Sequence, residues 1–280
     1  MDKLQSIDKL HLLILNVGLA IHNADWNWKN INSPFTRLYY VTEGTAQIIL
    51  PIGTYELSPN HLYLIPSFMP HSYSCTSHFS HYYLHIYEDQ QFETSILEDW
   101  DFPIEIPASK LDMELIKRLC DINPNMKLRQ SDPTTYDNNP TLIQNIIKNK
   151  QRGFSIKVEL ISRFLQNAKP KIKAEDGRIQ KALLYIQKNI YEPINIEQLS
   201  EISCLSKDHF IRLFKKEMGS TPIQYITQKK MEKAQLILVT QDISIKNIAY
   251  MLGYDDHSYF IRIFKKTIGE TPQEYKKHLI

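Results

Sequence analysis

Two kinds of hydrophobic pattern divide this chain of 280 residues. Between residues 10 and 107, apolar and aromatic residues form short runs that end at turn residues, as at Glu43-Gly44 and Ser58-Pro59-Asn60. Turns that recur about every 8 to 12 residues are typical of a β-sandwich or barrel. From residue 108 onward the apolar spacing becomes helical, first over 111–119 and 142–167. The pattern therefore predicts a β domain with accessory helices, followed by further helices.

A block of sixteen residues near the C-terminus occurs twice. Residues 210–225 have the sequence FIRLFKKEMGSTPIQY, and residues 260–275 have the sequence FIRIFKKTIGETPQEY. Ten of the sixteen aligned positions are identical. A repeat at a fixed spacing indicates that one supersecondary unit has been used twice.

A short helix and a tight turn are predicted in front of each repeated block. Asn195 and Ser244 stand where an N-cap residue precedes a short run of apolar positions with helical spacing. Turns follow at 204–205 and 253–254. A short helix, a tight turn and a longer helix form a helix-turn-helix unit, so the chain is predicted to contain two of them.

The longer helix of each unit is predicted to begin after a capping residue and to bury one apolar stripe. The cap is Ser206 in the first copy and Asp255 or Asp256 in the second. Apolar residues then recur at i, i+3 and i+4, which places them on one helix face. These residues are Phe210, Leu213, Phe214, Phe260, Ile263 and Phe264.

The opposite face of each longer helix carries residues suited to DNA. Arg212 and Arg262 can pair with guanine acceptors or hold a phosphate, an exposed Ile can contact a thymine methyl, and lysines suit phosphates. A charged solvent face on a core helix would also show a basic stripe, but two copies behind capped short helices favour DNA binding. The candidate DNA-binding residues are Ser206, Lys207, Asp208, Ile211, Arg212, Lys215, Lys216, His257, Ser258, Ile261, Arg262, Lys265 and Lys266.

A long helix is predicted to connect the two units. Each repeat closes with a capping box, which begins at Thr221 in the first copy and Thr271 in the second. From Pro222 the helical pattern continues to about Val239, a length of roughly 27 Å at about 1.5 Å per residue. Such a helix can hold two recognition helices about one DNA turn apart, so that one chain contacts two successive major grooves.

The C-terminal part, from about residue 178 to 280, resembles the DNA-binding domain of the AraC/XylS transcription regulators. The motif that carries the resemblance is IAYMLGYDDHSYFIRIFKKTIGETPQEY at 248–275, preceded by KKMEKAQLIL at 229–238. The resemblance implies recognition helices over 206–217 and 257–267. It also implies base contacts near Asp208, Ile211, Arg212, His257, Ser258 and Arg262. Asp208 departs from the expected chemistry, because a carboxylate repels phosphate unless it accepts a hydrogen bond from a cytosine amine.

The N-terminal part resembles the cupin-like jelly roll of AraC-type sensor domains over about ninety residues. The carrying segments are RLYYVTEGTAQIIL at 37–50, YELSPNHLYLIP at 55–66 and MPHSY at 69–73. The expected architecture is thus α+β in two domains. A cupin-like ligand-sensing or dimerisation domain at 1–168 combines a β barrel (about 10–107) with helices (about 108–168). A linker at 169–176 and a DNA-binding domain at 177–280 with two helix-turn-helix motifs follow.

A small β barrel can enclose one small ligand. Trp26 and Trp28 are two residues apart and would lie on one side of a strand, where their rings could stack on a polar ring such as a sugar. Each aromatic residue alone is as well explained by core packing, and the group together favours a pocket. The candidate ligand-binding residues are Trp26, Trp28, Arg37, Tyr39, His71, Tyr73, His81, Tyr83 and His85.

Two alternatives stay open for the N-terminal domain. The first is a metal-dependent cupin enzyme with a DNA-targeting domain, which needs a His-x-His pair, a carboxylate and a later His. His71 could be the later His, but 37–50 contains no His, and His81 and His85 would be roughly 13 Å apart on a strand. No nucleophile–base pair is evident either, so neither catalytic residues nor cofactors are expected. The second alternative is a constitutive regulator whose N-terminal domain only pairs two protomers.

Charge and cysteine usage agree with a DNA-binding role. Residues 171–280 contain 18 Lys and Arg against 13 Asp and Glu, a net charge of +5, whereas residues 1–170 have a net charge of −3. The C-terminal part therefore suits a polyanion. Cys75, Cys120 and Cys204 have neither disulfide-framework nor zinc-site spacing, which indicates a reducing compartment. The apolar run at 10–21 is predicted to be a strand rather than a signal peptide, so a cytoplasmic location is expected. The expected partners are promoter DNA, RNA polymerase, a second copy of the chain and a small effector.

Overall fold

The computed structural model describes residues 11–88, 95–130, 132–133, 153–171 and 174–277, and the chain divides into two compact units. One unit extends to Pro170, and the other spans Lys171–Lys277. The predicted order of an antiparallel β region followed by a helical region is confirmed. The part of the predicted helix that covers residues 142–152 lies outside the described residues.

Antiparallel strands form the framework of the first unit. β1, β8, β3, β6 and β10 make a five-stranded sheet in that order, β2, β7, β4 and β5 make a four-stranded sheet, and β11 pairs with β9. The strand bounds are β1 (Leu12–Asn23), β2 (Trp28–Ile31), β3 (Thr36–Gly44), β4 (Ala46–Leu50), β5 (Gly53–Leu57), β6 (His61–Ile65), β7 (His71–Ser74), β8 (His78–Glu88), β9 (Trp100–Asp101), β10 (Glu105–Pro107) and β11 (Lys169–Pro170).

Alternating burial shows that the two sheets share one core. In β4, Ala46, Ile48 and Leu50 are buried while the residues between them are exposed, as expected for a strand with one face in a core. These side chains join a cluster that also contains Tyr39 and Tyr63 of the five-stranded sheet. The first unit is therefore a two-sheet β structure, as the turn spacing predicts.

Helices flank the five-stranded sheet. Their bounds are α1 (Ile96–Asp99), α2 (Lys110–Ile122) and α3 (Phe154–Asn167), with a short 3₁₀ helix at Pro124–Met126. Arg163 of α3 forms an ion pair with Asp112, which also closes the capping box of α2. The buried Lys157 of α3 donates from Nζ to the carbonyl of Leu12 at 2.7 Å. These contacts join the two helices to each other and α3 to the first strand.

The second unit contains two helix-turn-helix units joined by a long helix. Its helices are α4 (Gly177–Lys188), α5 (Ile196–Ile202), α6 (Lys207–Met218), α7 (Pro222–Thr240), α8 (Ile245–Met251), α9 (His257–Ile268) and α10 (Pro272–Lys277). α5 and α6 form the first helix-turn-helix unit, and α8 and α9 form the second. The long helix α7 begins with the predicted capping box between Thr221 and Gln224.

Local hydrogen bonds explain where the short helices begin and end. Asn195 and Ser244 cap α5 and α8 through their side chains, as predicted. Each helix then ends in a Schellman-type turn, in which the Leu205 amide donates to the Ser200 carbonyl at 2.9 Å in the first copy. The second turn is one residue longer than the first, and Asp256 rather than Asp255 caps α9.

Candidate nucleic-acid interface and ligand cavity

We call α6 and α9 the recognition helices. A pair of aromatic residues one turn apart anchors each of them to its own unit, and the second ring of each pair meets a tyrosine edge-on. Phe214 contacts Tyr225 at a centroid distance of 5.6 Å, and Phe264 contacts Tyr275 at 5.8 Å. The fully buried anchors are Phe210, Phe214, Phe260 and Phe264. Because the same contacts recur, the two recognition helices have the same rotation relative to their cores.

The opposite face of each recognition helix is exposed and basic. The burial pattern of α6 is identical, residue by residue, to that of α9. The structure therefore brings the predicted contact residues together on two matching surfaces. The exposed members are Ser206, Lys207, Asp208, Arg212, Lys215, Lys216, His257, Ser258, Arg262, Lys265 and Lys266.

Ile211 and Ile261 do not have the predicted exposure. Both are half-buried, and Ile211 packs against the hydrophobic core of the first helix-turn-helix unit. The reason is their position one residue after a buried Phe, because at about 100° per residue this places them at the edge of the apolar stripe. The remaining exposed part of each side chain borders the basic face.

The two recognition helices differ in charge. α6 carries four basic residues and two acidic ones, whereas α9 carries three basic residues and no acidic one. The ammonium of Lys207 is in addition paired with Glu197 at 2.5 Å. Arg262 lies over the ring of Tyr259 at 6.0 Å. Within the helix bounds α9 therefore has the larger net positive charge, although Asp255 and Asp256 precede it.

A buried lysine of α7 connects both helix-turn-helix units. Lys230 donates from Nζ to the carbonyl of Glu192, in front of α5, at 2.9 Å, and to the carbonyl of Leu252, at the end of α8, at 2.6 Å. Burial lowers the pKa of Lys230 to about 8. This role could not be predicted from the sequence, because an isolated Lys in a helix is usually an exposed residue.

The first unit contains a cavity of about 160 Å³ over the inner face of the five-stranded sheet. Six of the nine candidate ligand-binding residues line it, and so does His22, which the sequence interpretation missed. The alternation of β1 could have found His22, since it follows Ala20 on the same face. The candidates that line the cavity are Trp26, Arg37, Tyr39, His81, Tyr83 and His85.

Three candidates lie elsewhere. Trp28 is half-buried at the start of β2, and Tyr73 lies behind Trp26, with ring centroids 3.9 Å apart. His71 is held by the carbonyl of Met69, which its Nδ1 contacts at 2.8 Å. The prediction that Trp26 and Trp28 share one strand face is wrong, because β2 begins only at Trp28.

The cavity wall is positively charged at one point and otherwise neutral. Arg37 donates to Nε2 of His85 at 3.1 Å and to Oγ of Ser33 at 2.7 Å. Burial, together with the nearby guanidinium, lowers the pKa of His85 and of His81 well below the usual value. Both imidazoles are therefore neutral near pH 7.

Across the described ranges, no group of three or more His, Cys, Asp or Glu has the geometry to hold a metal ion. In the same part of the chain, no helix combines the length and the hydropathy needed to cross a bilayer.

Comparison with known proteins places this arrangement in a class. A family model described as a helix-turn-helix domain matches residues 199–278. The probable transcriptional regulator LumQ of Photobacterium leiognathi is 28% identical over 74 residues, which are 26% of this chain and 30% of that protein. The chain spans about a third of the length of the first curated relatives it matches. The lactose operon transcription activator of Staphylococcus xylosus is 23% identical over 267 residues, 94% of this chain and 90% of that protein.

A solved structure supports the same fold over both units. ToxT of Vibrio cholerae O395 aligns with 96% of this chain and 98% of its own length, with a TM-score of 0.52 and 13% sequence identity. A two-sheet β unit followed by tandem helix-turn-helix units defines a class of DNA-binding transcription regulators. These matches agree with the resemblance of the sequence to the AraC/XylS regulators, most directly over the helix-turn-helix units at 199–278.

Proposed function

We propose that the chain is a ligand-responsive transcription regulator that binds promoter DNA through α6 and α9 and senses a small molecule in the cavity of its first unit. The observation that carries the proposal is the repetition of one exposed basic surface on two recognition helices. A solvated charged face needs no such repetition, whereas contact with two successive major grooves requires it.

The exposed residues of each recognition helix are assigned distinct roles. Arg212 and Arg262 lie at mid-helix and reach base edges, where a guanidinium can pair with guanine. Lys215, Lys216, Lys265 and Lys266 lie in the last turn and hold phosphates, which orient the helix without reading sequence. Asp208, His257 and Ser258 flank the start of the two helices, where they border the same groove.

The helix α7 sets the spacing of the two contacts. Its 19 residues correspond to roughly 28 Å at about 1.5 Å per residue. Half-sites contacted by successive recognition helices on one side of the duplex are separated by about 10 base pairs. One chain then occupies two adjacent half-sites.

We further propose that the regulator acts in the cytoplasm, without catalytic activity, as a homodimer that contacts RNA polymerase when ligand is bound. The lactose operon transcription activator is named for activation of an operon, and the present chain is alignable with it over 94% of its length. The aromatic residues favour a sugar or another small polar metabolite as the ligand, and the cavity supports a ligand of small size.

Selection from random duplex DNA tests the DNA-binding role. The full chain should enrich a bipartite sequence whose two half-sites are centred about 10 base pairs apart. Arg262→Ala should lose preference in one half-site only, and Arg212→Ala in the other. Enrichment of sequences that contain only one half-site would contradict the use of both recognition helices. No enrichment at all would contradict the proposal.

A further inference from the structure

The cavity in the first unit has the size of a small organic molecule. Its volume is about 160 Å³, and a cavity of about 150 Å³ is known to accept benzene. The volume therefore suits a small organic molecule as the ligand of the proposed sensor.

The charge of the cavity favours an anion. Arg37 is only 3% exposed and lines the wall, and its guanidinium stays protonated at all physiological pH values. The described residues that line the cavity include no Asp and no Glu. A guanidinium in a pocket of low polarity attracts a carboxylate strongly, because little water screens the interaction.

Two imidazole nitrogens on the wall lack hydrogen-bond partners. Nε2 of His22 and Nδ1 of His81 are buried, and neither has a partner in the described part of the chain. Both side chains are 2% exposed and line the cavity. Buried polar groups are normally satisfied, so these atoms indicate a polar ligand or ordered water in the cavity.

Flat rings provide the apolar wall. Trp26 stacks on His22 with centroids 5.1 Å apart and lies 5.0 Å from His81. A small planar or compact carbon skeleton would contact this wall while its polar end meets Arg37. The guanidinium, the two imidazole nitrogens without partners and the aromatic rings therefore line the same cavity.

We propose that the cavity binds a small organic carboxylate, whose anionic group is held by Arg37 and His81 and whose carbon skeleton lies against Trp26. The inference rests on the proposed sensor function and narrows the ligand class of that site. A carboxylate can accept one hydrogen bond from each of these two side chains. A neutral sugar hydroxyl would accept them more weakly, because it carries no charge.

Paired acids and amides test the inference in the full chain. Pyruvate, lactate and 2-furoate are each compared with the corresponding amide, which has the same shape without the charge. Thermal unfolding and tryptophan fluorescence are followed at constant ionic strength. At least one acid should bind about tenfold or more tightly than its amide, as expected when a charge-assisted hydrogen bond is lost.

Variants locate the site. Arg37→Lys keeps the positive charge but removes the planar guanidinium, which can donate two parallel hydrogen bonds. His81→Gln keeps a polar side chain without the imidazole ring. Each substitution should weaken acid binding about tenfold. His61→Gln, on β6 outside the cavity lining, is the matched control and should bind the acid as the unmodified chain does.

The outcomes separate the inference from the sensor function. Equal binding of acids and amides, or binding of a neutral pentose such as xylose in preference to every acid, would overturn the carboxylate inference and keep the sensor. Acid binding that survives both Arg37→Lys and His81→Gln would place the anion elsewhere and overturn the inference as well. Failure of all acids, amides and pentoses to bind would contradict both proposals.

Discussion

The ammonium of Lys230 donates to the carbonyl oxygen of Leu252 at 2.6 Å, across 22 residues of sequence. The same ammonium also bonds to the carbonyl of Glu192, which precedes the first helix-turn-helix unit. One buried charge in the connecting helix α7 thus satisfies backbone acceptors from both units. We therefore expect the mutual orientation of the two recognition helices to depend on this contact.

Lys230→Met tests that dependence, because methionine has a similar length and no donor. The variant leaves two carbonyls without their partner and should lower the free energy of unfolding by about 1–3 kcal/mol. It should also weaken binding to a two-half-site duplex more than binding to a single half-site. Urea denaturation and fluorescence anisotropy measure the two effects.

Lys229→Met is the matched control for this experiment. Lys229 is the adjacent residue, and its ammonium, on a side chain that is 35% exposed, pairs at 2.7 Å with Glu232. Its loss leaves no buried backbone carbonyl without a donor, so the control should lose less free energy of unfolding than Lys230→Met. Equal losses in the two variants would show that Lys230 has no special role.

The DNA-facing residues should divide into two kinds by their response to substitution. Arg212→Ala and Arg262→Ala should each weaken binding to a selected duplex by about 1–3 kcal/mol and relax preference at one site position. Lys265→Ala should weaken binding to all sequences alike. It should also reduce the slope of log K against the logarithm of the salt concentration by about one. An unchanged affinity in either Arg variant would mean that the register assigned to that helix is wrong.

The turn of the first helix-turn-helix unit contains a strained residue. Cys204 has φ of 53°, and the corresponding position of the second turn is Gly253 with φ of 71°. A left-handed conformation costs an L-residue about 1–2 kcal/mol, part of which is offset by the greater chain entropy of glycine when unfolded. Cys204→Gly should therefore stabilise the chain by about 0.5–1 kcal/mol in urea denaturation.

Gly253→Ala should have the opposite effect. A Cβ at Gly253 would lie 2.9 Å from the backbone carbon of Glu192 and 3.0 Å from the nitrogen of Pro193, in addition to the unfavourable φ. We expect a loss of more than about 1 kcal/mol. A stabilised Gly253→Ala or a destabilised Cys204→Gly would contradict the equivalence of the two turns.

Features that depend on nearby residues could be predicted from the sequence. The caps at Asn195 and Ser244 and the capping box at Thr221 involve partners three residues away, and the structure contains them. On β8, His81, Tyr83 and His85 share the cavity face because side chains alternate along a strand. Lys230 could not be predicted, since its acceptors are 38 and 22 residues away.

The prediction that Trp26 and Trp28 share one strand face is wrong for a reason that the sequence does not reveal. Ala24 has φ of 63°, which turns the chain just before Trp26. The side chain of Asn27 then bonds to both backbone groups of Cys75, at 3.0 and 3.1 Å, and replaces the ladder that a strand would form there. Trp26 consequently points into the core, while Trp28 starts the strand.

The two tryptophans should therefore differ in their contribution to stability. Trp26 is 4% exposed and contacts Tyr73 and Phe79, whereas Trp28 is half-buried. Trp26→Leu should lower the free energy of unfolding by about 2–4 kcal/mol, and Trp28→Leu by less than about 1 kcal/mol. Calorimetry of the full-length variants compares the two, and similar losses would contradict the burial difference.

Glu88 should make stability depend on pH. Its carboxylate accepts from the amides of Ile96 and Leu97 at the start of α1, yet burial raises its pKa to about 7. In the unfolded chain the pKa of a Glu is about 4.3, so between about pH 4.3 and 7 the folded chain binds more protons than the unfolded chain. Stability contributed by this group is therefore complete below about pH 4.3 and falls as the pH rises toward 7.

Glu88→Gln removes the titration while keeping an oxygen that can accept from the same amides. The free energy of unfolding of the unmodified chain, relative to this variant, should decrease between pH 5 and 7.5 and level off above that range. Taking the difference cancels the titration of the other groups, which both chains share. A difference that rises with pH would mean that the hydrogen bonds from Ser95, Ile96 and Leu97 to the carboxylate outweigh the cost of burying its charge, and that the pKa of Glu88 lies below its ordinary value.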